Sequence, residues 1–517
     1  MRRIGIVGSG PMAGYALRQL VASETPLAIT VFEADATLGC GMPYRAGMNA
    51  DEMYCNAFSR EIPPLTQRLA PWLQEQPQAF LQAWDLAPKD IDTRSFYPRV
   101  LLGEYLSDEF SALCDLGRAR GHRITALPRH LVMDIKPQED GVICSGQAAR
   151  DGFAHPFDDV VIATGHSWPS APQIDGVPLV SPWPYSAITE LPATRLGILG
   201  ASLSAVDVLV ALGFAHGEFT PQNGQLAWFP AQGSEALQIT MVSHNGIMPE
   251  PDFYYPHPYA PLRHITAEAV AAQIARGPDD LLARVFALLI AELRDADPDY
   301  LARLGAEAQT IEGFARAYVR HRKELGGLRA LREALKQAER SFADKATQGY
   351  RYALLRGHEN FEPLLDHLTE ADQATFRRHL APVFADCYAA IPHVSVQRVL
   401  ALYDAGVLDL VATAQDAAFK AVPDGVRVDT IDGPLQVAQV IDARGQPSAG
   451  LTALPFPTLA AMIEDVPLRA PYRLEVASQG RVYCLAMPQI LGHNPFAQGL
   501  ANCAEIAKRT VADLLTP

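Results

Sequence analysis

The sequence predicts an α/β fold built from two β-α-β units and a largely helical insertion. Three observations carry this expectation. RIGIVG at 3–8 is a short apolar run that ends in the glycine-rich turn GSGPMAG at 8–14. LGILGASLSAVD at 196–207 repeats the arrangement downstream, with Ser202 where a second glycine would stand. Residues 266–405 carry Leu and Ala at helical spacing, as in DDLLARVFALLIAELRDA and LRALREALKQAERSFADKA.

The elements follow in order. PMAGYALRQLVAS (11–23) is a helix with Ala13, Leu17, Leu20 and Val21 on one face, and LAITVFEAD (27–35) is the strand after it. Residues 60–117 read as helices and loops. ITALPRHLVMDIKPQEDGVICSG (124–146) alternates like a β-meander with a turn at Glu139–Gly141. DDVVIATG (158–165) is a buried strand ending in a glycine turn. The Pro- and Ser-rich residues 167–190 read as a linker. RLGILGASLSAVDVLVALG (195–213) opens the second unit, and LQITMVSHNG (237–246) is its second strand. PEPDFYYPHPYAPLRH (249–264) suits a surface loop; a mobile lid carrying Tyr254, Tyr255, His257, Arg263 and His264 is the alternative. Strand character returns near 408–445, and GLANCAEIAKRTVADLL (499–515) closes the chain as an amphipathic helix. No tandem repeat is visible. The expected domains are 1–185 with 410–517, an inserted 186–265, and a helical cap at 266–409.

At 517 residues the chain exceeds what one core holds, so two or three domains are expected. A net charge of −15 disfavours nucleic acid and anionic membranes as partners. The seven cysteines are scattered without a C-x-x-C pair, which argues against a disulfide framework or a zinc ribbon. The N-terminal apolar run breaks at Gly8, and no long uncharged apolar stretch occurs, so a soluble cytoplasmic protein is expected. No metal-ligand cluster or Ser-His-Asp arrangement stands out.

The first turn has the context of a Rossmann dinucleotide site. Gly8 permits the tight turn, Gly10 lets the backbone approach a pyrophosphate at the helix N-terminus, and Ala13 or Gly14 permits close helix packing. Glu33 ends the second strand, where a ribose-binding carboxylate belongs. IATGH (162–166) is a glycine turn suited to close approach over the cofactor. The last helix begins near Gln498-Gly499-Leu500, and its N-terminus would stabilise negative charge on a reduced flavin ring.

These pieces together resemble bacterial two-dinucleotide-domain flavoproteins, the family that includes FAD-dependent urate hydroxylase and the nitrosuccinate-forming aspartate N-hydroxylase. The resembling stretches are GSGPMAG, GCGMPY (39–44), MYCNAFSREIPPL (53–65), SFYPRVLLGEYL (95–106), VIATGH (161–166), GASLSAVD (200–207) and LGHNPFAQGL (491–500). NAFSREIPPL and SFYPRVLLGEYL are closer to the N-hydroxylase branch. The resemblance implies two Rossmann-like domains, a discontinuous one for FAD and an inserted one for NAD(P). It implies that Gly8, Ser9, Gly10, Pro11, Met12 and Ala13 face the pyrophosphate and Glu33 the ribose. Met42 and Asn56 would lie near the flavin or ribityl chain, Val132 near the adenine through its backbone, Thr164 and Gly165 in the turn over the FAD, and Pro488, Gly499 and Leu500 near the ring. Gly200, Ser202, Leu203, Ser204 and His244 would serve NAD(P)H. Two departures stand out: Ala486-Met487-Pro488 replaces a common Gly-Asp or Gly-Pro pair, and Ser243-His244-Asn245 lacks the arginine that often receives a 2′-phosphate.

The family chemistry is that NAD(P)H reduces FAD, O₂ adds at the flavin C4a, and the C4a-hydroperoxide gives one oxygen to the substrate. The expected activity is hydroxylation of a small polar metabolite, with N-hydroxylation of an amino acid or amine leading. A urate- or purine-like C-hydroxylase, a non-oxygenating flavin oxidoreductase and a nucleotide-binding protein without catalysis are the alternatives. Asn494 would either bond the reacting oxygen or nicotinamide, or cap its own loop. His166 would touch cofactor or substrate, or lie at a hinge. Arg60 and Arg99 would clamp a substrate carboxylate, or make structural ion pairs.

Overall fold

A computed structural model describes residues 1–169, 171–324, 326–413 and 417–516. The chain divides into two compact units, Met1–Trp168 with Gln446–Pro517, and Pro169–Gly445.

In the first unit, β1 (Arg2–Val7) leads through the glycine turn to α1 (Pro11–Val21) and β2 (Leu27–Phe32). Pro11 takes the first helical position, where its missing N–H costs nothing. β1 and β2 are parallel, with Ile4 opposite Ile29 and Ile6 opposite Val31. These four side chains are buried, as expected of a parallel sheet covered on both faces. β3 (Arg123–Leu127) pairs parallel outside β2. The antiparallel meander of β4 (His130–Gln138), β5 (Gly141–Ala148) and β6 (Asp151–Phe157) follows. β7 (Asp159–Ile162) then pairs parallel on the other side of β1. The strand Arg481–Cys484 extends the sheet beyond β7. The closing helix, Leu500–Leu515, buries Cys503, Ile506, Ala507, Val511 and Leu514 and packs along α1.

The second unit repeats this topology. β8 (Arg195–Leu199), α2 (Leu203–His216) and β9 (Gln238–Ser243) form its β-α-β core. β10 (Leu408–Ala412) pairs parallel outside β9, and β11 (Gln439–Asp442) pairs parallel on the other side of β8. A three-stranded antiparallel sheet, Phe419–Val422, Gly425–Thr430 and Gly433–Val437, lies in sequence between β10 and β11. Both units thus order their strands third, second, first, fourth, with a meander between third and fourth. The repeat escapes the sequence because it resides in strand order and not in residue identity.

This topology places the unit boundaries at 168/169 and 445/446, whereas the sequence reading put them at 185/186 and 409/410. β10 and β11 stay with the second unit because their ladders run to β9 and β8. The presumed linker also belongs there: Val180 donates its N–H to Val440 and accepts from Asp442. The helices between Ala267 and Asp404 are inserted between β9 and β10. The 249–264 stretch is packed rather than lid-like. Phe253 and Tyr255 are buried, and Glu292 accepts the backbone N–H groups of Arg263 and His264 at 2.9 and 2.7 Å.

A buried charge cluster joins that stretch to the insertion. α3 (Ile311–Lys323) starts at Thr310, whose hydroxyl caps Gly313, and ends in four basic residues that complement its dipole. One of them, Arg322, is buried and contacts Asp386 at 2.9 Å and Glu250 at 3.3 Å. Arg351 meets Glu250 at 3.2 Å. Burial pushes the Glu250 carboxyl up, but the two guanidiniums outweigh it and hold the group below its ordinary value. Its stabilising contribution is therefore complete at neutral pH and is lost as pH falls through the depressed folded value. Replacing Arg322 with Met leaves two buried carboxylates short of a counter-charge. Urea unfolding at pH 7 should show a loss of about 3–5 kcal/mol.

Candidate functional site

The first glycine turn is held by its neighbours. Gly8 has φ 101°, and a Cβ there would lie 2.3 Å from the carbonyl oxygen of Ala163, just past β7. Its N–H donates to Phe32 at 2.8 Å. Gly10 stands at the N-cap of α1 with no side chain capping the helix. A Cβ on Gly10 would come 3.2 Å from Cα of Gly41. The buried Ser9 donates both its N–H and its hydroxyl to Glu33, at 3.1 and 2.7 Å. Glu33 also accepts from the Asp35 N–H at 3.0 Å, so the acid is tied to the turn it follows.

A cavity of about 750 Å³ opens over this turn, within the range of small-molecule and cofactor sites. Gly8, Ser9, Gly10, Pro11 and Met12 line it, with Glu33, Met42 and Val132. Thr164, Gly165, His166, Gly499 and Leu500 complete the set of sequence-expected residues brought to this wall. The closing helix also starts there without a side-chain cap, at Gly499 with φ 104°. Two uncapped helix N-termini thus border one cavity, and both present N–H groups suited to anionic oxygen.

Other expected residues lie outside that lining. Ala13 is buried in the core side of α1, and Asn56 is exposed. Pro488 sits in a short helix beside Met487, which does line the cavity. Asn494 is buried, and its Oδ1 accepts the Phe496 N–H at 2.9 Å, the loop-capping arrangement. The Arg60 guanidinium lies 5.2 Å from the Phe58 ring centroid. Arg99 donates from Nε to the Tyr54 carbonyl at 3.2 Å, and its charge acts on the cavity residues Tyr44 and His166.

Residues not singled out by sequence reasoning complete the wall. Tyr44 and Arg45 belong to the quoted GCGMPY region and its edge, and Arg45 pairs with Asp35. Leu131 and Met133 flank Val132 where β4 shifts register against β5, and both are exposed. Phe456 and Cys503 carry no local signal. Thr458, two residues beyond Phe456, donates its N–H to Asp134 of β4 at 2.9 Å.

His166 is half-buried, and its Nδ1 has no hydrogen-bond partner among the described residues. Burial lowers its basicity, the Gln446 amide opposes this, and the Arg99 charge lowers it further, so the ring is neutral at pH 7. A glycine cradle and two helix starts bordering one cavity, with His166 and its orphaned ring nitrogen in the same wall, fit a dinucleotide there.

The second unit reproduces the turn. Gly200 has φ 126°, and a Cβ there would lie 2.5 Å from the carbonyl oxygen of Ala443, just past β11. Gly200 donates to Val242 at 2.8 Å, as Gly8 does to Phe32. Ser202 is the exposed N-cap of α2 and makes no side-chain cap bond, so the N–H groups at the helix start are left without a side-chain cap. His244 is exposed at the end of β9, and the Ser243 hydroxyl accepts the Gly246 N–H at 3.0 Å.

Comparison with known proteins follows these divisions. Residues 5–167 match the FAD-NAD(P)-binding family, and residues 266–388 match the YdhS-like middle domain. The fold is similar to that of the ornithine N-hydroxylase KtzI of Kutzneria sp. 744, with a TM-score of 0.53 and 13% identity over 99% of this chain and 98% of that one. It is also similar to DfoA, the desferrioxamine-pathway cadaverine monooxygenase of Erwinia amylovora, with a TM-score of 0.53 and 11% identity over 100% and 94% of the two chains. The YdhS protein of Escherichia coli strain K12 is 36% identical over 529 residues, covering 100% of this chain and 98% of its own. The chain therefore belongs to the YdhS family, with an N-terminal region of FAD-NAD(P)-binding type and a YdhS-like middle domain.

Proposed function

We propose that this protein is an FAD-dependent, NAD(P)H-consuming monooxygenase that N-hydroxylates a small amine or amino acid. The carrying observation is the cavity bordered by the glycine turn of α1 and the uncapped start of the closing helix, in a region of FAD-NAD(P)-binding type. The shared fold with an ornithine N-hydroxylase and a cadaverine monooxygenase supports the reaction class. Bound FAD supplies the redox and oxygen chemistry, taking electrons from NAD(P)H and using O₂.

The chain's own residues do the rest. The Gly8–Met12 turn receives the pyrophosphate, with Gly10 and Met12 supplying the backbone N–H groups because those of Gly8 and Ser9 are spent on Phe32 and Glu33 and Pro11 has none, and Glu33 orients the ribose. Val132 and its exposed neighbours cover the adenine. Thr164, Gly165, Gly499 and Leu500 border the ring, where the helix start favours negative charge. The neutral His166, in the cavity wall, borders the cofactor or substrate. The Arg99 charge, already acting on Tyr44 and His166, favours a substrate carboxylate, which suits an amino acid. The NAFSREIPPL and SFYPRVLLGEYL blocks make the aspartate N-hydroxylase branch the leading guide to substrate. Gly200, Ser202, Leu203, Ser204 and His244 form the NAD(P)H site of the second unit.

Three results are expected. The purified protein should carry FAD, and Gly8→Ala, which drives a Cβ into a backbone carbonyl, should lower FAD occupancy about tenfold or more, read from flavin absorbance. Aspartate, ornithine, lysine and cadaverine should be screened by NAD(P)H oxidation and product mass; at least one should gain a single oxygen on nitrogen. Oxidation that yields only peroxide with every amine, or oxygen on a purine ring carbon, would overturn the N-hydroxylase reading. Product formation should fall on acidification at a pH below the ordinary histidine value, because His166 takes its proton only there, and His166→Gln should remove that limb.

A further inference from the structure

The end of β9 decides which nicotinamide nucleotide the second unit reads. In a Rossmann unit the 2′ position of the adenosine ribose lies there, beside an acid for a free hydroxyl or a cation for a phosphate. Ser243-His244-Asn245 offers neither. The fold brings a cation from far along the chain. Lys323, the last residue of α3, places Nζ 3.4 Å from Asn245 Oδ1. Among the described residues no carboxylate lies within ion-pair distance of this ammonium. The other exposed basic side chains of α3, Arg316 and Arg320, are both committed to Glu307.

The placement is built into the fold. Arg322, next to Lys323, is buried and donates from Nη2 to the Met248 carbonyl while pairing with Asp386 and Glu250. Met248 is three residues past Asn245. The buried cluster therefore pins the end of α3 to the segment that leaves β9. The turn there is itself fixed, because Ser243 accepts the Gly246 N–H and Gly246 packs on Ala412 of β10.

We infer that Lys323, supplied by the helical insertion, receives the 2′-phosphate and makes this unit an NADPH site. This rests on the nicotinamide nucleotide site proposed above and adds its specificity. A point charge on a flexible stem suits a phosphate, and the Asn245 amide bond is exchanged easily for one to a dianion. The inserted domain thus acts as the specificity element for a turn that lacks its own cation.

The test uses the full-length protein and two fragments, 2′,5′-ADP and 5′-AMP, titrated by calorimetry. The native chain should bind 2′,5′-ADP about 10- to 100-fold more tightly than 5′-AMP. Lys323→Met should erase the preference and leave 5′-AMP binding unchanged, and Lys323→Arg should restore it. Added salt should shrink the preference, since the group is exposed. Equal affinities in the native chain, or an undiminished preference in Lys323→Met, overturn the inference. Flavin absorbance and its bleaching by NADPH and NADH are read on the same samples. A flavin bleached equally by both coenzymes sinks the Lys323 assignment alone, whereas a protein without flavin sinks the enzyme reading.

Discussion

Everything at the first site depends on one backbone close approach. The chain leaves β1 at Gly8 and must clear the carbonyl of Ala163, just past the neighbouring β7, by a distance no side chain permits. That clearance lets α1 begin directly beyond the end of β1, an interior strand, with no side chain capping its N–H groups. These uncapped donors suit the cavity to an anion, and Glu33, Val132, Thr164 and Gly499 line the same wall. The second unit meets the same constraint at Gly200 against Ala443. Equivalent hydrogen bonds, from Gly8 to Phe32 and from Gly200 to Val242, hold both turns. The serine at 202 is tolerated because the strict requirement falls on the first glycine. The N-cap is a position where serine is ordinarily favoured.

Much of the first site was legible in the sequence because its signals are local. A strand, a glycine turn, a helix and a strand-end acid occur within thirty-three residues, and their geometry follows from spacing alone. Thr164, Gly165, Gly499 and Leu500 reach the same cavity from distant segments because each carries its own glycine signal. Side-chain direction was not legible. Asn494 turns inward to its own loop, and Asn56 lies exposed, although both stand in family-like stretches. Phe456 and Cys503 join the wall through packing that no local pattern announces.

The second unit was harder to read for a topological reason. Its β-α-β core is contiguous, but its third and fourth strands come after the helical insertion and resemble any late β segment. Only the ladders from β9 to β10 and from β8 to β11 assign them. The buried Arg322 cluster was equally hidden. Its members come from α3, from the stretch after β9, and from helices further along, so no window contains them. Yet that cluster explains why a Pro- and Tyr-rich segment that looks like a lid is anchored instead.

The insertion between β9 and β10 also bears on how the second unit is made. β10 cannot pair with β9 until the chain from His244 to Val407 has brought its ends together. As a random coil this loop would impose a closure entropy that delays the sheet. A helical domain that forms from local contacts shortens the effective loop before the strands meet. The order of synthesis favours the same route, since the helices emerge before β10 does. The inserted domain thereby acts as a folding clamp for the parallel sheet that encloses it, and its own stability sets when that sheet can close.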